Sequence, residues 1–320
     1  MTAQVQSQTH YDVIVVGSGA GAMTSAVFLA DHGFSVLIVE KSDKYGGTSA
    51  ISGGGIWIPN NHYFAKLNGN DTYETALRYL QAAAGEHVDE TRLRTYLDNA
   101  PKMIKELAQT SRVRYAVAAK YPDYYPHLPG ALPGGRTLDP EFFDTSLLGD
   151  ELDNLRKPSP STLLMGCIAW TARDAHKVMA RGFGWRLLIM GLMLRYKLDF
   201  KWRRKSKIDR RASLGSSLVA SLRRSLMDRN VPLWLNTDFA GLLTKDGRVS
   251  GVSVRRNGAE VQLHARHGVI LASGGFEQNQ ALREKYLPQP TRMAWSATPP
   301  GNNTGAALEA GLAQGAATAL

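Results

Sequence analysis

Gly17, Ser18, Gly19, Ala20, Gly21 and Ala22, followed by Glu40, are the residues whose types and spacing carry the first chemistry in this chain. Glycine at 17 permits a tight turn, and glycine at 19 leaves bare backbone where a diphosphate can approach. A carboxylate roughly twenty residues further on can accept hydrogen bonds from ribose hydroxyls. Together they describe a dinucleotide site, for FAD or NAD; alone, such glycines do no more than turn a strand into a helix. The dinucleotide reading needs a strand to deliver the glycines and a helix to leave them. Tyr11 to Val16 reads as that strand, Met23 to His32 as an apolar-periodic helix, and Ser35 to Val39 as a second strand ending at Glu40. Ala22 lets helix and strand pack closely, and the helix N-terminus offers N–H groups and the positive end of its dipole to phosphate.

The continuation separates the two cofactors. After Glu40-Lys41-Ser42 come Gly46-Gly47-Thr48-Ser49 and then Ser52-Gly53-Gly54-Gly55-Ile56-Trp57-Ile58-Pro59-Asn60. A nicotinamide enzyme needs nothing more here, whereas the three-ring edge of a flavin demands a second approach of small residues. The run resembles the FAD domain of the flavoprotein family that contains fumarate reductases and 3-oxosteroid 1-dehydrogenases. Gly53 to Pro59 is similar to the steroid branch in particular. The resemblance implies FAD as cofactor. It places contacts on residues 17–22 named above, on Glu40 and Lys41, and on Gly47, Thr48, Ser49, Ser52, Gly53, Gly54 and Gly55. Further along it adds Phe239, Ala272, Ser273 and Gly274.

At 320 residues and 43% hydrophobic, the chain can bury a substantial core and has the length of about two domains. Met1 to His10 is polar and lacks the pattern of a secretory signal, and the apolar run Leu187 to Leu194 is far short of a bilayer span. One cysteine, Cys167, excludes internal disulfides and suits a reducing compartment. A cytoplasmic location is expected, peripheral to a membrane if the basic tract described below touches one. Eight scattered histidines without paired spacing give no reason to expect a metal.

Asp71 to Gly85 and Asp89 to Thr110 read as helices packed on the sheet. Lys120 to Arg136, rich in Pro, Gly and Tyr, reads as a loop whose tyrosines by default anchor aromatic area against the protein body. In the steroid branch a Pro-Asp-Tyr segment followed by Leu-Pro and Gly-Arg supplies an active-site tyrosine. The resemblance makes Tyr124 that catalytic residue, hydrogen-bonded to a second tyrosine whose pKa it helps to lower.

From Asp150 to Arg211 the composition changes. Apolar runs give way to a cationic tract in which Arg195, Lys197, Lys201, Arg203, Arg204, Lys205, Lys207, Arg210 and Arg211 stand against Asp199 and Asp209. Three readings are open: a solvated basic face, contact of residues 181–211 with anionic lipid, or nucleic acid, for which no recognised module accompanies the charge. The solvated face is the leading reading, a peripheral membrane contact through 181–211 the second, and nucleic acid is not expected as a partner.

Ala212 to Arg229 reads as a helix with a core stripe at Leu214, Leu218, Leu222 and Leu226, and Pro232 to Thr237 as a strand. Asp246-Gly247 and Asn257-Gly258 then punctuate strands over 240–243, 249–255 and 261–264, an antiparallel meander. Val269 to Ala272 returns as a parallel strand. Ser273-Gly274-Gly275-Phe276-Glu277 and Tyr286-Leu287-Pro288 again resemble the steroid branch. Asn303-Thr304-Gly305 opens a helix where many relatives have Thr-Gly-Asp-Gly; Ala306 and Ala307 here remove that acid. Gly315 to Leu320 reads as the start of another strand.

The expected fold is therefore α/β: a Rossmann-like FAD-binding domain with a parallel sheet, an antiparallel meander and a helical insertion. It divides into residues 1–149, 150–211 and 212–320, with the substrate-capping domain of the family absent. The resemblance implies dehydrogenation of a carbon–carbon bond beside a ketone, of a 3-ketosteroid, with hydride passing to flavin N5 and on to an external acceptor. An enoate reductase of the fumarate-reductase type and a non-catalytic flavin-binding fragment are the alternatives. Without the capping residues, the 320-residue chain is expected to turn over nothing by itself.

Overall fold

The computed structural model describes residues 9–318. The polar stretch Met1 to Gln8 and the last two residues of the expected closing strand lie outside them. The chain begins β1 (His10–Val16), α1 (Ala20–Asp31), β2 (Val36–Val39), β3 (Ile56–Trp57), α2 (His62–Ala65), α3 (Tyr73–Ala84) and α4 (Glu90–Thr110). Then come β4 (Tyr115–Val117), β5 (Thr137–Pro140), β6 (Phe143–Asp144), α5 (Ala172–Met179), α6 (Trp185–Leu198), α7 (Phe200–Arg203), β7 (Arg211–Ala212) and α8 (Leu214–Met227). The last part holds β8 (Leu233–Trp234), β9 (Thr237–Lys245), β10 (Arg248–Arg256), β11 (Ala259–Leu271), α9 (Gln280–Tyr286) and α10 (Ala306–Ala313). Two compact units divide these residues. The first takes the chain up to Thr48, Asp153–Arg156 and Leu222–Thr318; the second takes Ser49–Leu152 and Lys157–Ser221.

The first unit is built on one six-stranded sheet in the order β8-β2-β1-β11-β10-β9. β8, β2, β1 and the end of β11 run parallel, while β9, β10 and the start of β11 are antiparallel. β2 is buried at every position and β1 at five of seven, which is why both read as unbroken apolar runs and not as alternating ones. Ile14, Val16, Leu37, Val39, Val252, Val254 and Leu263 form the core of this unit, with Phe239 and Val269 packed against it. Each such side chain contributes about 1.5–3 kcal/mol on burial. This is the expected architecture.

The turns follow from local chemistry. Asp246-Gly247 (φ 51° and 73°) and Asn257-Gly258 (52° and 79°) are left-handed at both central positions, matching the twist of the strands they join. The strands expected at 261–264 and 269–272 are instead one, β11. Its register against β1 slips between Ala265 and Gly268, so a bulge absorbs Arg266 and His267 without ending the strand. At the other end, α10 closes at Gln314 and no strand forms over residues 315–318.

In the second unit α3 and α4 pack on each other through Ala76, Leu77, Leu93 and Leu97. Their expected partner was the main sheet. They meet a smaller one: Trp57, on β3 of the antiparallel sheet β3-β5-β4, stacks near Tyr79 of α3 and Tyr96 of α4, at 5.8 and 6.2 Å. Thr72 and Asp89 cap the two helices by accepting from Thr75 N and Thr91 N. Helices α5 to α7 form the expected helical insertion; Leu218, Leu222 and Leu226 of α8 are buried as their spacing predicts, whereas Leu214, at the helix start with a positive φ of 54°, is only half-buried. No helix among the described residues is long and apolar enough to cross a membrane.

Candidate functional site

In the first unit β1 ends in a turn that only glycine can make. Gly17 has φ 105°, and a Cβ there would lie 2.8 Å from both the carbonyl carbon of Ala272 and Cα of Ser273. The turn is tied on both sides: Gly17 N donates to Val39 O (2.8 Å) and Ala272 N donates to Val16 O (2.9 Å). Four of the residues expected to hold cofactor, Gly17, Ser18, Ala272 and Ser273, thus meet at one end of the sheet. Gly19 is the N-cap of α1, with an extended backbone and no side-chain cap hydrogen bond of its own. Ala22 is buried against the sheet, as expected. Gly21 differs from Gly17 in having nothing within 4 Å of an added Cβ. Its lack of a side chain answers to no packing among the described residues.

Ser18 and Glu40 do something the sequence does not disclose. The Ser18 hydroxyl, 1% exposed, donates to Glu40 Oε2 (2.5 Å) and accepts from Gly46 N (3.0 Å). Glu40 Oε1 accepts from Ser42 N (3.0 Å). Ser18 is therefore the clamp that sets the carboxylate and the following loop. A carboxylate has about four acceptor positions, so Glu40 keeps capacity for ribose hydroxyls.

Lys41 follows on the rim of a cavity of about 800 Å³, which Arg156, Asn236, Asp238 and Thr304 also line. Lys41 Nζ lies 3.4 Å from Thr304 Oγ1, and Arg156 donates to Ser42 Oγ at 2.9 Å. Arg156, 116 positions beyond Glu40, carries no local signal that could have marked it. Phe239 packs its side chain against the sheet core and pairs with Val254 of β10. Gly274 (φ 84°) packs on the amide of Asn303, and Gly305 N donates to Gly275 O (3.1 Å), so segments 273–279 and 303–305 form one structure. Gly47 (φ 51°) has open space around its missing Cβ; Thr48 follows it in the same short helical turn.

In the second unit Ser49, Ser52, Gly53, Gly54 and Gly55 dock on the start of α8. Ser52 Oγ bridges Ser49 O (2.8 Å) and Gly54 N (3.0 Å), and Gly215 N donates to Ser52 O (3.0 Å). A Cβ on Gly54 would sit 2.6 Å from Gly215 N, and one on Gly215 would strike Ser49 O. Gly54 therefore serves backbone-to-backbone packing, while Gly53 faces open space. Gly215 carries no local signal for this role, because the backbone it meets at Ser49 and Ser52 is distant in sequence.

The tyrosine loop is held by charge. Arg136, 1% exposed, donates to both Asp71 oxygens (3.0 and 2.8 Å) and to Asp123 Oδ2 (2.8 Å). Trp57 Nε1 and Leu132 N also donate to Asp123, at 2.7 and 2.9 Å, and the guanidinium lies over the Trp57 and Tyr79 rings. Tyr121, Tyr124 and Tyr125 are exposed, Tyr124 by 80%. The expectation that these tyrosines anchor the loop is thus overturned: Asp123 is the anchor, and it presents the phenols outward. Tyr121 and Tyr124 meet edge to face at 6.4 Å. The interaction with Tyr124 pushes the Tyr121 phenol above the ordinary tyrosine value.

Asp139 on β5 adds a negative field at Tyr121. Desolvation raises its own pKa, against a smaller pull from Arg173. A carboxyl raised in the folded state favours folding below its ordinary 3.8, and that contribution disappears as pH climbs through the folded value. Asp139→Asn is therefore expected to be more stable than the parent at neutral pH and equal to it below 3.8. Urea midpoints at the two pH values measure the difference; a stabilisation that persists in acid would refute the burial cause.

The family described as FAD binding domain matches residues 12–320. The 3-oxosteroid 1-dehydrogenase of Comamonas testosteroni is 41% identical over 309 residues, 96% of this chain and 54% of that protein. That of Mycolicibacterium smegmatis is 38% identical over 318 residues, 97% of this chain and 54% of the relative. Among solved structures, the 3-ketosteroid delta1-dehydrogenase from Sterolibacterium denitrificans, in complex with 1,4-androstadiene-3,17-dione, has a TM-score of 0.93 at 51% identity. It covers 96% of this chain and 55% of its own. The chain spans about half the length of the curated relatives it matches.

Proposed function

The chain belongs to the FAD binding domain family, and from that premise we propose that the protein carrying it removes two hydrogens across a carbon–carbon bond beside a ketone, with a 3-ketosteroid as substrate. The cofactor is FAD, and the residues of the first unit fit it: open space at Gly21 and Gly47, spare acceptors on Glu40, and a cavity bearing Lys41 and Arg156. When bound, FAD supplies the acceptor for a hydride. The turn at 17–22 holds the diphosphate against backbone N–H groups, and Glu40 takes the ribose. Lys41 and Arg156 balance negative charge at the rim of the cavity. Tyr124, exposed on its loop, hydrogen-bonds in this reading to a second tyrosine and lowers that group's pKa, so that the second phenol can take the proton from the carbon next to the carbonyl. The partners in this reading are the ketosteroid, an external electron acceptor, and a membrane surface met through residues 181–211.

The observation that carries this reading is the likeness to the Sterolibacterium enzyme, 51% identical at a TM-score of 0.93. A 3-ketosteroid supplied with a dye acceptor tests it. Dye reduction should accompany a new ring double bond, and Tyr124→Phe should lower turnover by about 10²–10⁴-fold with flavin content unchanged. Reduction of an enoate such as fumarate, with no oxidation of the steroid, would replace the reading by that of an enoate reductase.

A further inference from the structure

We propose that α6 lies in the headgroup plane of an anionic lipid bilayer, its outward row of apolar side chains among the acyl chains and the basic tract after it on the phosphates. This rests on the reading of residues 181–211 as a membrane contact and specifies its lipid, its orientation and the residues that enter.

A helix on a protein surface normally turns its apolar stripe inward and its charges to water. In α6 the single fully buried residue is Leu192, while Leu187, Met190, Leu194 and Leu198 are 69%, 62%, 58% and 58% exposed. Their spacing of three and four puts them in one row on one face. The row begins at Phe183, wholly exposed in the turn before the helix, and continues to Phe200, 64% exposed just after it. From Leu187 to Leu198 the row is about 16 Å long. No helix among the described residues can span a bilayer, so the row can lie along a membrane and not through it.

Charge selects the occupant. Residues 181–211 hold eleven Lys and Arg against Asp199 and Asp209, and so account for nine of the chain's net charge of +10. Arg210 pairs with Asp199 (3.0 Å) and Arg211 with Asp209 (3.0 Å), and Arg195 is turned inward over the Phe142 ring at 4.7 Å. Lys197, Lys201, Arg203, Arg204, Lys205 and Lys207 remain exposed beside the apolar row. A second copy of this chain would bring like charge against like. Nucleic acid would use the cations and leave the apolar row in water. A bilayer with anionic headgroups satisfies both features at once, each basic residue near its surface adding to the attraction.

Sedimentation with phosphatidylcholine vesicles, with and without about a third phosphatidylserine, tests the proposal. The expected result is at least tenfold stronger association with the anionic vesicles, lost at high salt. The charge reversal K201E/R203E/R204E/K205E should abolish the preference, and L187Q/L194Q should weaken binding to anionic vesicles about tenfold. Both variants change exposed side chains, so unaltered flavin content and circular dichroism certify their fold. Absence of association with either vesicle overturns the proposal and the membrane contact together. Equal association with both overturns the anionic assignment and leaves the contact. Anionic binding indifferent to L187Q/L194Q, or matched by an oligonucleotide of equal charge, overturns insertion of the row. None of these outcomes bears on steroid oxidation, which the dye assay decides.

Discussion

Gly17→Ala yields a protein that fails to fold stably, whereas Gly21→Val yields one that folds and does not take up FAD. The first result follows from backbone meeting backbone. At position 17 the φ of 105° disfavours any side chain, and the Cβ would press on Ala272 and Ser273. Neither can retreat without loosening the Ala272 N to Val16 O hydrogen bond that joins β11 to β1. Left-handed strain of about 1–3 kcal/mol and overpacking of about 1–3 kcal/mol add to a loss on the order of 3–5 kcal/mol. That is a large share of the roughly 5–15 kcal/mol that holds a domain together.

Position 21 is the control because its surroundings are empty. Gly21 lies in the first turn of α1 with an ordinary φ, and valine is no worse than glycine in a helix. Denaturant midpoints without cofactor should match the parent, while FAD affinity, read from quenching of flavin fluorescence, should fall at least a hundredfold. Unchanged affinity in Gly21→Val would mean that this turn is not where the diphosphate lies.

Arg136→Met is the second large effect, with an expected loss of about 3–5 kcal/mol, the usual cost of removing one partner from a buried ionic cluster. Asp71 and Asp123, whose side chains are 2% and 3% exposed, would be left facing each other without a cation. The stacking on Trp57 and Tyr79 would go with it. Denaturation followed by tryptophan fluorescence reports the loss, since Trp57 donates to Asp123. The triple variant D71N/D123N/R136M should recover much of it, because no buried charge is then uncompensated. A single variant as stable as the parent would show that the cluster does not hold the loop.

Why some of this could be read from the chain and some could not is visible in particular residues. The turns at Asp246-Gly247 and Asn257-Gly258 fell where expected because a left-handed φ at two successive positions is a property of those residues themselves. The β1 to α1 turn is of the same kind: Gly17 announces its own conformation. The continuity of β11 was missed because Arg266, His267 and Gly268 look like an interruption, and only the pairing with β1 shows that a bulge carries the strand through. The helix pair α3 and α4 was found, but not its neighbour, since amphipathic spacing says that a face is buried and not what buries it.

Taken alone, the order of residues determined the FAD-type strand, turn and helix with its acid, the hairpins, the kinship with flavoproteins and the excess of positive charge. The folded chain decided the rest: that Ser18 clamps Glu40, that Arg136 reaches Asp71 across 65 positions, and that α6 turns leucines to the solvent. The division has a physical basis. Backbone sterics, turn preference and periodicity act over a few neighbouring residues and are written where they act. Burial, ion pairing and the identity of an exposed face depend on which distant segments come together, and no residue states its distant neighbours.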